Sequence, residues 1–219
     1  MPLTPVKTPK IIKALFPNYV WSIKTNKKEI YLTFDDGPTP NITTWTLDIL
    51  NQYNAKATFF CIGNNVSKYP DIFQSILNQG HAIGNHTQTH PKGWKTATNT
   101  YLHNIAQADT ILKAQDVTNK PVHSQLLFRP PYGSITPKQG KRLIALGYSI
   151  VMWDILSFDW HTNVTKDQCF NNVISKAENG SIIVFHDSIK ASKNMQYALP
   201  KVLEYYSKKG YTFKSLQLH

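Results

Sequence analysis

Four times along this chain a helix-like stretch ends in a glycine and runs straight into an apolar, strand-like segment. The junctions are Gln79-Gly80-His81-Ala82-Ile83, Leu146-Gly147-Tyr148-Ser149-Ile150-Val151, Asn179-Gly180-Ser181-Ile182-Ile183-Val184 and Lys209-Gly210-Tyr211-Thr212-Phe213. Glycine takes the left-handed conformation that ends a helix, so each junction reads as a C-cap feeding a short turn into a strand. Strands that alternate with helices pair in parallel through crossover connections. The pattern predicts seven strands, near 29–34, 56–61, 81–85, 125–129, 148–153, 181–185 and 211–213. Helices are predicted over 66–79, 98–114, 136–146 and 165–179, with Pro70 in a first turn and Thr136 and Thr165 as N-caps. Seven such units fit one α/β domain, a barrel somewhat short of eight strands; an open doubly wound sheet has the same periodicity. Residues 1–28 read as an N-terminal extension packed on the outside of a domain over 29–219.

Composition narrows the functional classes. No stretch approaches the roughly 20 apolar residues that cross a bilayer. No apolar run near the N-terminus is long enough for a signal-peptide core, which favours the cell interior. Cys61 and Cys169 have neither disulfide-framework nor zinc-knuckle spacing and read as buried thiols. The net charge is +11. Its lysines are scattered and no nucleic-acid motif accompanies them, so they read as a solvated surface and no nucleic-acid partner is expected. A monomer is expected. Sequons stand at Asn41, Asn65, Asn85 and Asn163, and a glycan at Asn85 would block the histidines beside it.

Chemistry-bearing residues sit where the strands end. Parallel strands bring their C-terminal ends to one mouth, where such folds build active sites. Asp35 and Asp36 close the run Ile30-Tyr31-Leu32-Thr33-Phe34. Adjacent residues point different ways, so one carboxylate can bind a metal while its neighbour takes a proton from water. Read as a helical turn, His86 and His90 have both imidazoles on one side. With Asp36 they form a His-His-Asp set that leaves coordination positions open, as a catalytic zinc requires. Arg129, ahead of Pro130 and Pro131, can hold Asp35 ionised and oriented. The Tyr132 amide can face a developing oxyanion. His186 can protonate a leaving amine. The remaining histidines (81, 103, 123, 161 and 219) have no partner at ligand spacing. Trp94, Trp45 and Tyr132 are candidates for lining sugar subsites, although Trp45 reads as a core residue on a helix.

Taken in order, Thr33-Phe34-Asp35-Asp36-Gly37-Pro38, His86-Thr87-Gln88-Thr89-His90, Arg129-Pro130-Pro131-Tyr132-Gly133, Asp159-Trp160 and Val184-Phe185-His186-Asp187 resemble the five motifs of the NodB-homology polysaccharide deacetylases, carbohydrate esterase family 4. The resemblance spans about residues 28–215. It implies a distorted (β/α) barrel of about seven strands that hydrolyses the N-acetyl amide of a hexosamine in a glycan. It further implies Asp35 as general base, Asp36, His86 and His90 as ligands of one divalent metal, usually zinc with cobalt or nickel as substitutes, and Arg129 positioning Asp35. Tyr132 lends its amide to the oxyanion, His186 is the general acid tuned by Asp159, and Trp160 and Val184 line the acetyl pocket. Two positions depart from the family: Val184, often leucine, and Leu156, often polar. Deacylation of another amide or of an O-acetyl ester, and a catalytically silent glycan-binding module, are the alternatives.

Overall fold

A computed structural model describes residues 5–116 and 126–218. Its strands are β1 (Glu29–Asp35), β2 (Ala57–Cys61), β3 (Ala82–Asn85), β4 (Leu126–Phe128), β5 (Tyr148–Ile150), β6 (Ile155–Leu156), β7 (Ile182–His186) and β8 (Thr212–Phe213). The helices are α1 (Lys10–Leu15), α2 (Ile42–Gln52), α3 (Gly63–Lys68), α4 (Pro70–Asn78), α5 (Thr98–Gln115), α6 (Pro137–Ala145), α7 (Lys166–Ile174) and α8 (Ser192–Lys208). Strand order is β5-β4-β3-β2-β1-β7-β6, every pairing is parallel, and β8 adds to the N-terminal half of β1. The seven strands on this path form a curled half-barrel, the distorted (β/α) barrel expected. β5 and β6 lie at opposite ends of that order yet only five residues apart in sequence, a reach of at most about 18 Å. The sheet must therefore curl until its edges nearly meet. The N-terminal segment lies across that seam, with Val20 bridging Val151 and Lys7 bridging Ile155.

The glycine junctions behave as their chemistry requires: Gly80, Gly147, Gly180 and Gly210 all have φ between +75° and +88°. Thr136 and Thr165 close full capping boxes with Gln139 and Gln168. Three elements differ from expectation. The predicted strand 148–153 stops at Ile150 and resumes as β6, because the chain crosses the seam between the two edges. The predicted helix 66–79 is two helices that meet at Tyr69, and Pro70 starts the second at N1. The stretch at 211–213 supplies only the two-residue β8. The start of the predicted strand at 125, and His123 and His219, lie outside the described residues.

Strand parity decides what faces the cleft. Ile30, Leu32 and Phe34 of β1 pack outward against the helices. Tyr31, Thr33 and Asp35, two residues apart, face the barrel interior. β7 repeats the pattern, and parallel register sets Tyr31 beside Ile182, Thr33 beside Val184 and Asp35 beside His186. The interior floor is apolar, built from Tyr31, Phe60, Leu127, Val151, Ile182 and Leu216. Gly84 makes room for it, since a Cβ there would lie 2.3 Å from the Phe60 ring. Cys61 and Cys169 are free and buried, and no helix among the described residues is long and apolar enough to cross a membrane.

Candidate active site

All five clusters converge at the C-terminal mouth of the strands. Asp35, Asp36, His86, His90, Tyr132, Trp160, Val184 and His186 line one cavity of about 570 Å3. Arg129 and Asp159 lie buried behind it.

Asp35 ends β1 with its side chain inward. Asp36 follows at φ 80°, a left-handed turn that swings the second carboxylate away from the first. The turn is fixed from beneath, because Asp187 accepts hydrogen bonds from the Gly37 amide and the Thr43 hydroxyl. Asp36 Oδ1 comes 3.2 Å from His90 Nε2 and 3.7 Å from His86 Nε2. Burial opposes ionisation of Asp36, but the neighbouring His90 and the charged His186 outweigh it and hold its carboxyl well below the usual range.

The helical turn expected for His86–His90 does not form. The segment is a loop with Thr87 and His90 both at positive φ. The two rings still meet, with centroids 5.0 Å apart, because side chains hold the backbone. The His86 amide donates to the Cys61 carbonyl. The Thr87 amide donates to Asn85 Oδ1, those of Gln88 and Thr89 share Asn104 Oδ1, and that of His90 donates to Thr87 Oγ1. Asn85 is itself tied to Asp109 and the Ile105 carbonyl of α5. Asn85, Thr87, Asn104 and Asp109 were invisible as site residues in sequence; only the adjacency of Asn85 to His86 was a signal. Asn85 is buried, so in the folded chain its sequon cannot carry a glycan.

These three groups suit a metal. His86 Nδ1 lies 2.8 Å from the Arg129 carbonyl, which only accepts, so the ring proton sits on Nδ1 and Nε2 presents a bare lone pair. Burial pushes the His86 imidazole down to about 4, which keeps it neutral. Asp36 Oδ1 is buried without a hydrogen-bond partner. Ligand atoms of Asp36, His86 and His90 all lie within 4.8 Å of one another, and tetrahedral zinc with bonds near 2.1 Å spaces its ligands by about 3.4 Å. A divalent cation would resolve this convergence of acceptors.

Arg129 is fully buried and spans the two halves of the site. Its Nη1 donates to Asp35 Oδ1 and Thr33 Oγ1, both at 2.7 Å, its Nη2 to the Met152 carbonyl and its Nε to that of Val151. Its guanidinium lies 4.1 Å above the Phe60 ring. Opposite, both Asp159 oxygens serve His186, one accepting from Nδ1 at 2.9 Å and the other from the backbone amide at 2.7 Å. Burial pulls His186 down, yet Asp159, joined by Asp36 and Asp35, pushes it up to about 9. Tyr132 is 62% exposed at φ 59°, and its hydroxyl contacts His90 Nδ1 at 3.1 Å.

The cavity's apolar wall is wider than expected. Trp153 and Leu156 join Trp160 and Val184, and Leu156 pairs in register with Val184. The two departures from the motif pattern are thus neighbours, with Leu156 packing beside the smaller Val184. Trp45 packs against the core. Trp94 lies outside the cavity at 71% exposed, its indole fixed by a bond to the Ile135 carbonyl. Among the other histidines, His81 accepts from the Ala57 amide and His161 from that of Asn163.

Sequence and fold comparisons point to one family. A polysaccharide deacetylase family profile matches residues 22–151. A peptidoglycan-N-acetylglucosamine deacetylase of Bacillus cereus is 36% identical over 90% of this chain and 70% of its own. A peptidoglycan-N-acetylmuramic acid deacetylase of Bacillus subtilis is 32% identical over 88% of this chain and 71% of its own. Among solved structures, the Bc1960 peptidoglycan N-acetylglucosamine deacetylase superposes with TM-score 0.85 at 35% identity, covering 95% of each chain. The chain belongs to the polysaccharide deacetylase family, carbohydrate esterase family 4, hydrolases that act on carbon–nitrogen bonds other than peptide bonds.

Proposed function

We propose that the protein removes N-acetyl groups from hexosamine units of a peptidoglycan-type glycan, yielding a free amine and acetate with the help of one divalent metal, zinc in the first instance. The observation that carries this reading is the meeting, in one cavity, of a His-His-Asp cluster with a buried carboxylate on one side and a charged imidazole on the other. When bound, the metal supplies a Lewis acid that polarises the acetyl carbonyl and lowers the pKa of water. Asp36, His86 and His90 would hold it. Asp35, steadied by Arg129, takes a proton from the water that attacks the carbonyl carbon. The Tyr132 amide is the donor to the oxygen on which negative charge develops. His186, kept protonated by Asp159, passes its proton to the nitrogen as the C–N bond breaks. An amine is a poor leaving group until protonated, so an acid held charged at neutral pH favours an amide over an O-acetyl ester. Trp160, Val184, Leu156 and Trp153 receive the acetyl methyl.

A polymer suits the surface. The cavity adjoins a groove of about 430 Å3 past His90 and Pro38 and another of about 620 Å3 past Trp160, and Lys190 lines all three. The test is acetate release from N-acetylglucosamine oligomers, glycan strands containing N-acetylmuramic acid, and acetylxylan, with the metal content measured in parallel. Asp35→Asn is expected to keep the metal and stop turnover; an unchanged rate would falsify its role as base. Release from acetylxylan alone would favour the ester reading, and glycan binding without release the silent module.

A further inference from the structure

We infer that the groove beyond Trp160 is a binding site for a carboxylate carried by the glycan, a reading that deepens the proposed deacetylase function and rests on it. Lys190, on the loop after β7, lines both the catalytic cavity and this groove, and Trp160 forms the junction between them. Lys193 at the start of α8 and Lys166 at the start of α7 complete three ammonium groups around about 620 Å3 of open space. Neither Lys190 nor Lys193 forms an ion pair among the described residues; Lys166 lies 4.6 Å from the centroid of the Tyr197 ring.

The groove offers these cations no acid of its own. Asp159 is its only carboxylate, and both its oxygens are engaged by His186. Asp167, next to Lys166, accepts from the Tyr197 hydroxyl outside the groove. The wall is also set rather than loose. Asn194 on α8 donates to the carbonyls of Asp159 and Val164, which pins the 159–164 segment against the helix carrying Lys193. Unpaired charge of one sign in a concave site raises the local concentration of its counter-ion. A neutral N-acetylglucosamine polymer gains nothing from it. A strand with a lactyl carboxylate on alternate sugars presents an anion one sugar away from the acetamide in the cavity. The scattered lysines of the sequence thus include three that the fold gathers beside the chemistry.

The experiment uses the full chain and three substrates: N-acetylglucosamine oligomers, peptide-free strands of alternating N-acetylglucosamine and N-acetylmuramic acid, and those strands with their carboxylates converted to methylamides. The variant K166Q/K193Q, which leaves the catalytic cavity's own lining untouched, is expected to lose about tenfold in kcat/KM on the carboxylated strands, mainly through KM, while rates on the oligomers and methylamides hold within about twofold. Added salt is expected to erode the wild-type preference for carboxylated strands. Equal losses on all three substrates, or none on any, overturn the inference. If wild-type protein releases no acetate from any substrate, the deacetylase reading fails on its own. Affinity for carboxylated against methylamide strands, measured by co-sedimentation, then decides the groove: equal affinities, or a preference that survives K166Q/K193Q, overturn it too.

Discussion

Asp159→Asn isolates what the buried carboxylate does for His186. In the native site the imidazole loses solvation on burial, which alone would drive it below its ordinary 6.5, yet it stands at about 9 because Asp159 contacts Nδ1 at 2.9 Å and adds its field to those of Asp36 and Asp35. The rise corresponds to about 3 kcal/mol in favour of the charged ring, at 1.36 kcal/mol per tenfold change in proton affinity. Asparagine removes the charge. It also offers one oxygen where two are used, so either the ring or the His186 amide loses its acceptor. The burial penalty then dominates and the pKa falls toward or below 6.5, leaving a minority of His186 protonated at pH 7.5. Ring-proton shifts followed against pH in metal-free protein read this directly, and the alkaline limb of the acetate-release profile moves to lower pH with it. Stability follows the same sign. A raised folded pKa stabilises fully below 6.5 and loses that contribution as pH rises through 9. Wild-type stability to urea is therefore expected to drop between pH 6 and 9.5 by an amount the variant largely lacks. A His186 titration that stays near 9 in Asp159→Asn would refute the reasoning.

Asn104→Ala removes the shared acceptor of the Gln88 and Thr89 amides and is expected to weaken metal binding about ten- to a hundredfold in chelator competition, while Asn104→Asp, which keeps an oxygen there, recovers most of it. Arg129→Leu strands Asp35 as an unpaired buried charge; the expected cost is about 3–5 kcal/mol in urea unfolding, and adding Asp35→Asn should return part of it. Gly84→Ala forces a methyl into the Phe60 ring beneath Arg129, with an expected loss of about 1–3 kcal/mol from overpacking and a metal affinity left nearly intact.

The residues assigned to substrate and metal were readable because most sit at or just past a strand end, and strand ends announce themselves as an apolar run stopped by a charged or polar residue. Asp35 and His186 needed nothing more, since period two along β1 and β7 puts both on the interior face. The His86–His90 geometry was misread because four-residue spacing has two structural solutions. A helix brings such a pair together through backbone bonds. Here two left-handed residues do so; their amides donate to Asn85 and Thr87, and the amides of Gln88 and Thr89 between them donate to Asn104. No local pattern betrays an acceptor that arrives from α5. Strand β6 was missed for a related reason. Two residues carry no periodicity, and what makes Ile155 and Leu156 a strand is the β7 edge waiting beside them.

Arg129 explains why the halves of the site keep their spacing. Its carbonyl fixes the proton of His86 on Nδ1 and so frees Nε2 for a ligand. Its guanidinium holds Asp35 against Thr33. One residue thus sets the orientation of the His86 imidazole with its main chain and of the neighbouring carboxylate with its side chain. The prolines that follow hold its backbone extended, while four side-chain bonds and the Phe60 face lock the far end. Movement of β4 relative to β1 would break the Asp35 contact, and movement relative to β3 the His86 one. The separation between the metal cluster and Asp35 is therefore set by the register of the barrel rather than by any loop. The two jobs also separate cleanly. Replacing the side chain leaves the carbonyl in place, so a substitution that disorders Asp35 still leaves His86 presenting Nε2.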